Sequence, residues 1–312
     1  MMERCLQGLD SLPQAVRGCV LTVGNFDGVH RGHRRILRTA RTLAGAAGLP
    51  VVALTFDPPP DLVLRPSDPP RRITPHAQKL GLLLAAGTDW VVTARSDQGL
   101  LDMTPDQFVE EILLRRFAPA HVVEGPDFFF GRGREGDVKF LQAAGKEKHF
   151  RVRIVESVRA ELADGVREVS STLIRELVMA GRVTDAAKAL GRDFALYGPV
   201  VPGAGQGRVL AFPTVNLAAG EQVIPADGVY AGRAAVGESS FLSAISIGTK
   251  PTLGPGPRTI EANLIDAEGD FYDRLVELQF VSRLREQQRF DGIETLRKQI
   301  AEDVQRVREI CG

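Results

Sequence analysis

The chain has 312 residues, 44% hydrophobic and 25% charged, a composition ordinary for a globular protein and long enough to make two domains the natural expectation. Lys plus Arg (39) equals Asp plus Glu (39), so the net charge is zero and the basic excess of a general nucleic-acid binder is missing. Three dispersed cysteines, Cys5, Cys19 and Cys311, have neither metal-ligand nor redox spacing, and no apolar run reaches the ~18 residues of a membrane helix. With no apolar signal-peptide core in MMERCLQGLDSLPQ, a reduced cytoplasmic setting is expected, with neither nucleic acid nor membrane as a partner. Oligomeric state is left open.

In chain order, residues 19–24 (CVLTVG) read as a buried strand, followed by a helical pattern from about Gly32 to Ala44. Residues 51–56 (VVALTF) form a second strand, and Pro58-Pro59-Pro60 and Pro69-Pro70 bracket a surface loop. Leu80, Leu83 and Leu84 mark a helix, and Trp90–Thr93 a strand. Thr104-Pro105-Asp106-Gln107 has capping-box spacing, opening a helix through Phe108, Ile112 and Leu113. A further strand begins at His121–Glu124. This alternation predicts a parallel sheet with helices on both faces and a ligand site at the carboxyl ends of its strands.

The grammar changes near residue 190. YGPVV, GVYAGRAAV, FLSAISIG, TIEANLID and RLVELQFV are short, extended and separated by Gly and Pro, which predicts a compact antiparallel barrel. Ile293, Leu296, Ile300, Val304 and Val307 then predict a terminal helix packing one face onto it, and 182–193 a helix and short connection between the halves.

The most specific segment is GNFDGVHRGH, residues 24–33, between a strand and a helix. Gly24, Gly28 and Gly32 suit a sharp turn and close approach to a ligand. The helix start offers N–H groups and a positive dipole end to phosphate. His30 and His33, three apart, can donate to phosphate oxygens as charge shifts during transfer. The Gly-Lys-Ser/Thr ending of a Walker loop is missing. Ser170-Ser171-Thr172-Leu173-Ile174-Arg175 supplies hydroxyls at another helix start and an Arg one turn on, a polyphosphate clamp.

GxFDGxHxGH with SSTxIR resembles the nucleotidyltransferase superfamily. The resemblance implies nucleotide contacts at Gly24, Asn25, Phe26, Asp27 and Gly28, the histidine pair at His30 and His33, and the clamp at Ser171, Thr172 and Arg175. GPDFFFGRGREG, residues 125–136, resembles a further motif of the FAD synthetase branch and adds Asp127. In the second half a Gly-rich loop containing Gly203, Gly207 and Arg208 precedes Phe212-Pro213-Thr214-Val215-Asn216, read as a turn whose Thr214 and Asn216 are hard oxygen ligands for Mg²⁺. This segment resembles the riboflavin kinase signature. Glu261 in TIEANLID is the implied general base, and Arg285 and Phe290 in LREQQRF the implied flavin contacts.

Both motif sets in this order, over roughly residues 15–312, resemble the bifunctional riboflavin kinase/FAD synthetase family. The resemblance implies an FMN adenylyltransferase domain over 1–185, Rossmann-like with a parallel sheet, and a riboflavin kinase β-barrel domain over 186–312 with a terminal helix. Its ligands would be riboflavin, FMN, FAD and ATP, with Mg²⁺. The chain departs from the family pattern at Ala211, Ala204, Gly205, Val215, Asn263, Phe271-Tyr272-Asp273 and Pro59. Those in the second half keep a second reading open, an adenylyltransferase whose kinase module serves only as a flavin-binding domain.

Overall fold

The computed structural model describes residues 2–202, 214–249, 258–269 and 271–312. Contacts divide the chain into two compact units, residues up to Pro70 with His76–Arg159, and Arg71–Pro75 with Ala160–Gly312.

The first unit is built on β1 (Cys5–Gln7), β2 (Val20–Val23), β3 (Val51–Phe56), β4 (Trp90–Ala94), β5 (His121–Glu124) and β6 (Arg151–Ile154). All neighbours are parallel, in the order β1-β4-β3-β2-β5-β6. Residues alternate between faces with period two. Leu21, Val23, Val52, Leu54 and Val122 meet Phe108, Leu113, Phe117 and Leu141 on one side. On the other, Val20, Val51 and Val123 pack with Ala40 and Ala44, while Ala53 and Val91 pack with Leu37 and Leu83. A sheet buried on both faces explains why β2 and β3 read as continuous apolar runs. The chain leaves β2 for β3 and β4 on one side and returns to β5 on the other, so the topological switch point lies between β2 and β5. Ligands of open α/β sheets bind outside the carboxyl ends at such a point.

The helices of this unit are α1 (Arg31–Ala47), α2 (Pro60–Leu64), α3 (His76–Ala85), α4 (Gln98–Leu101), α5 (Pro105–Gln107) and α6 (Val138–Glu147). The proline-bracketed stretch expected as a loop thus contains the short α2. The capping box is present in full, with Thr104 Oγ1 accepting from Gln107 N and Gln107 Oε1 accepting from Thr104 N. Beyond it the expected helix is π-helical over Phe108–Phe117. The 4–5 residue spacing of Phe108, Ile112, Leu113 and Phe117 brings all four into the core. Strands β1 and β6 had no counterpart in the sequence reading, because three- and four-residue edge strands such as RVRI carry too little apolar pattern.

From Ala160 on, the second unit contains the hairpin of β7 (Arg159–Leu162) and β8 (Gly165–Glu168), then α7 (Ser171–Met179) and α8 (Val183–Leu190). A closed barrel follows: β9 (Phe194–Val201), β10 (Thr214–Leu217), β11 (Gly228–Val236), β12 (Ser239–Gly248), β13 (Thr259–Leu264) and β14 (Leu275–Arg285), in the order β10-β13-β12-β11-β14-β9. The sixth strand is a correction: Thr214–Asn216 was expected within a turn, and Thr214–Leu217 is extended. Val215 and Leu217 face inward, which strand alternation allows and a turn does not. Phe194, Tyr230 and Phe280 fill the interior, with ring centroids 5.4–5.8 Å apart. At Gly232, beside a register irregularity between β11 and β14, a Cβ would meet Gln279 O, so only glycine fits.

Helix α9 (Ile293–Cys311) packs Val304, Val307 and Cys311 against Val229, Ala231, Ala244 and Leu284. Among the described residues the fully buried positions of the helix lie in its C-terminal half; Leu296 and Ile300 are half-buried, and Ile293 is 47% exposed, contrary to the expectation that the whole apolar stripe packs. Among the described residues no helix is long and apolar enough to cross a membrane.

Candidate active sites

The turn after β2 sits at the switch point. Its backbone is left-handed at Phe26 (φ 49°), Gly28 (φ 84°) and Val29 (φ 39°). Glycine removes the strain at position 28; the two non-glycine residues cost of order 1–3 kcal/mol each and persist only where their surroundings over-determine them. Phe26 is anchored by burial in the α1–α3 core, under Gly24. It therefore shapes the turn from beneath. Gly24 N donates to Leu54 O at 3.0 Å, and Val29 N to Phe26 O at 3.0 Å. Asn25 O accepts from Thr55 Oγ1 (3.2 Å) and Lys79 Nζ (3.0 Å).

His30 is the N-cap of α1, its Nδ1 accepting from His33 N at 3.4 Å. The rings of His30 and His33 stack with centroids 3.6 Å apart and planes 19° from parallel, and Phe26 meets His33 edge-on at 5.2 Å. Burial, reinforced by His30 and Lys79, holds the His33 imidazole well below the usual histidine range. At neutral pH His33 is therefore a neutral imidazole beside the first turn of a helix, able to present one N–H to an anion. Asp27 is buried in the same turn.

Across the switch point, β5 ends in Glu124, whose Oε1 accepts from Val23 N at 2.6 Å. Burial raises the Glu124 carboxyl well above the usual range, against the opposing pull of the Val23 N–H and the Thr22 hydroxyl. Beyond it, Phe128 and Phe130 stack at 5.4 Å, and Phe130 joins Phe108 and Phe140 in the core. Reciprocal bonds between Phe130 and Gly136 close this loop, leaving Asp127 exposed on its rim.

The residues of the SSTxIR segment fall in the second unit. Ser170 caps α7 by accepting from Leu173 N at 3.1 Å, so Ser171 and Thr172 form the first helical turn. Arg175 Nε donates to Arg71 O at 2.7 Å.

On the barrel, Asn216 of β10 stands opposite Glu261 of β13, and Thr214 opposite Asn263. Glu261 in turn faces Ser246 of β12, Ser246 faces Val229 of β11, and Val229 faces Arg285 of β14. Asn216, Glu261, Ser246, Val229 and Arg285 thus form one row across five strands. Ser246 Oγ accepts from Gln287 Nε2 at 2.8 Å. Arg285 makes a forked ion pair with the buried Asp303 of α9, at 2.7–3.2 Å, and its guanidinium lies 5.8 Å from the Phe290 ring centroid. Gly203, Gly207 and Arg208, with Ala211, Phe212 and Pro213, lie outside the described residues.

Three contributors escaped the sequence reading. Lys79 occupies the apolar face of α3, four residues before buried Leu83, and Glu124 ends an otherwise apolar strand. Ser246 is visible only through its register. An ionisable residue on a buried face was the available signal for the first two.

A parallel sheet with a glycine–histidine turn at its switch point, in one chain with a closed barrel carrying an acid beside an amide and a hydroxyl, defines a two-part group transferase. Comparison with known proteins narrows the class. Residues 12–173 match the FAD synthetase family model and residues 190–311 the riboflavin kinase model. The chain is 36% identical to the bifunctional riboflavin kinase/FMN adenylyltransferase of Escherichia coli K12, covering 99% of this chain and 98% of that one. The protein of that name from Pseudomonas fluorescens is also 36% identical (98% and 97% covered), and that from Bacillus subtilis 31% (92% and 90%). A solved structure titled as a macrolide-efflux protein from Streptococcus pneumoniae superposes with a TM-score of 0.86 at 27% identity, covering 98% of this chain and 99% of that one. The chain belongs to the bifunctional riboflavin kinase/FMN adenylyltransferase family, and both of its modules are present.

Proposed function

We propose that adenylyl transfer to FMN centres on the turn at residues 24–33, and that riboflavin phosphorylation centres on the outer row of the barrel. ATP is the donor for both. For the first reaction, the carrying observation is the stacked His30–His33 pair at the switch point. An FMN phosphate oxygen attacks the α-phosphorus of ATP as the bond to pyrophosphate breaks. His30 and His33 donate to the phosphate oxygens, while Gly24, Asn25, Asp27, Gly28 and Asp127 shape the nucleotide pocket. Ser171 and Thr172 in the first turn of α7, with Arg175 one turn on, supply the hydroxyls and guanidinium suited to a polyphosphate. Positioning and charge stabilisation supply the rate.

For the second reaction, Asn216 facing Glu261 supports the reading. Glu261 takes the proton of a riboflavin hydroxyl as its oxygen attacks the γ-phosphorus and ADP leaves. Arg285 and Phe290 flank the flavin. The oxygens of Thr214 and Asn216 fit Mg²⁺, which keeps several waters and shares phosphate oxygens rather than demanding an all-protein cage. When bound with ATP it would offset phosphate charge. A reduced cytoplasmic setting fits three cysteines without redox spacing, and a zero net charge fits small-molecule rather than nucleic-acid partners.

The test is incubation of the purified protein with riboflavin, ATP and MgCl₂, with flavins resolved by chromatography. FMN followed by FAD, both lost when Mg²⁺ is withheld, is the expected result. FAD from added FMN but no product from riboflavin would remove the kinase assignment of the barrel.

A further inference from the structure

Lys79 is only 3% exposed, and its ammonium donates to two main-chain carbonyls, Asn25 O at 3.0 Å and Phe56 O at 3.2 Å. A lysine on a helix ordinarily lays its stem over apolar surface and carries its charge out to water. Here the charge goes inward, between the turn after β2 and the end of β3. An apolar side chain of similar volume would seal the same contact without the cost of desolvating an ammonium.

Both accepting carbonyls lie at the carboxyl edge of the sheet, the edge at which open α/β sheets bind their ligands and to which the proposed reaction assigns phosphate. A carbonyl oxygen turned toward that edge repels phosphate. One bound by a buried ammonium is both immobilised and offset in charge. The Asn25 carbonyl is held a second time by Thr55 Oγ1 at 3.2 Å. It lies immediately before Phe26, the first left-handed residue of the turn. A strained turn of this kind keeps its shape only where neighbouring groups fix it. Lys79 also bears on the histidine pair, since its charge is among those that keep His33 neutral.

We propose that Lys79 is a positioning residue for adenylyl transfer, its ammonium tying the residue 24–28 turn to the end of β3 and placing a fixed positive charge behind the phosphate-facing backbone. The proposal rests on the assignment of that turn to the FMN adenylyltransferase reaction. In this role Lys79 acts through the Asn25 backbone rather than on the substrate.

The test compares Lys79→Met, Lys79→Gln and Lys79→Arg in the full chain. Methionine keeps the volume alone, glutamine a donor without charge, and arginine both donor and charge. FAD formation from FMN and FMN formation from riboflavin are measured on each preparation, with His33→Ala in parallel. Misplacement of a reacting group by about 1 Å costs on the order of 10²-fold, so Lys79→Met is expected to lower kcat for FAD formation by about that factor. KM for ATP should stay within about threefold, because the loss falls on the transition state rather than on ground-state binding. Recovery should rise from Met to Gln to Arg, with FMN formation unchanged throughout. Wild-type kcat in Lys79→Met, or parallel loss of both activities in all three variants, overturns the proposal; the second result would make Lys79 a folding residue. Should His33→Ala leave FAD formation intact, the assignment of the turn itself fails, whatever the lysine variants do.

Discussion

Asn216 on β10 lies directly across the antiparallel ladder from Glu261 on β13. Residues so opposed have Cβ atoms roughly 4.5–5.5 Å apart. A carboxylate and an amide oxygen donor therefore share one small patch of the outer barrel, with Thr214 two residues along the same strand face. Inward Val215 and Ala262 lock this register, since a slip by one residue would turn either set into the core.

This juxtaposition makes Glu261 the residue to change first. A positioned general base contributes roughly 10²–10⁴-fold, so Glu261→Gln should slow FMN formation by about that range while leaving FAD formation from added FMN untouched. Separate assays of the two half-reactions check this. An unaffected kinase rate would reassign the carboxylate to a surface role.

The complementary change is His33→Ala. Losing one preorganised donor to a developing oxyanion costs about 10²–10³-fold, so FAD formation should fall by that order and FMN formation should persist. The stack on His30 at 3.6 Å is also lost. His33→Phe retains a ring there and separates packing from hydrogen bonding: if Phe restores the rate, the imidazole N–H is not the active feature.

Arg285 and Asp303 tie α9 to β14 through a largely buried ion pair. Removing one partner of such a pair costs about 3–5 kcal/mol, because the other charge is stranded, whereas replacing both with apolar groups is often neutral. Asp303→Leu should therefore lower stability in urea by about 3 kcal/mol, and Arg285→Met/Asp303→Leu should recover most of it. Should Arg285 also orient Phe290 on the flavin, the double variant will show a riboflavin KM raised about tenfold, equivalent to ~1.4 kcal/mol. Recovered stability with unchanged KM would make the pair purely structural.

Much of the fold was legible because its signals are local. The alternation of 19–24, 51–56, 90–93 and 121–124 with helical patterns identified the central strands, and Gly- and Pro-separated short strands identified the barrel. What escaped depends on tertiary context. Thr214–Leu217 is four residues beside a proline, and only its partners β9 and β13 define it as a strand. The π-helix at 108–117 shares its residue types with an α-helix. Lys79 and Glu124 looked like ordinary charged residues until their burial was known. The His30–His33 spacing pointed to one helical turn, but His30 acting as N-cap, with its ring stacked on His33, is a matter of side-chain geometry.

Glu124 carries the remaining prediction. It is 3% exposed, and its folded-state pKa is raised because burial penalises the carboxylate more than the Val23 N–H and the Thr22 hydroxyl favour it. A raised carboxyl pKa means the native state binds more protons than the unfolded state above the ordinary glutamate value. The favourable contribution is thus fully present below about pH 4.5 and declines as pH rises toward the folded-state value. Glu124→Gln keeps an oxygen to accept from Val23 N and has no charge to bury. Relative to the parent chain it should gain stability progressively from pH 4.5 to pH 8, read as a melting-temperature difference that grows with pH. A difference that stays constant across that range would show that the carboxyl titrates alike in both states, and that its bond to Val23 alone accounts for its place at the switch point.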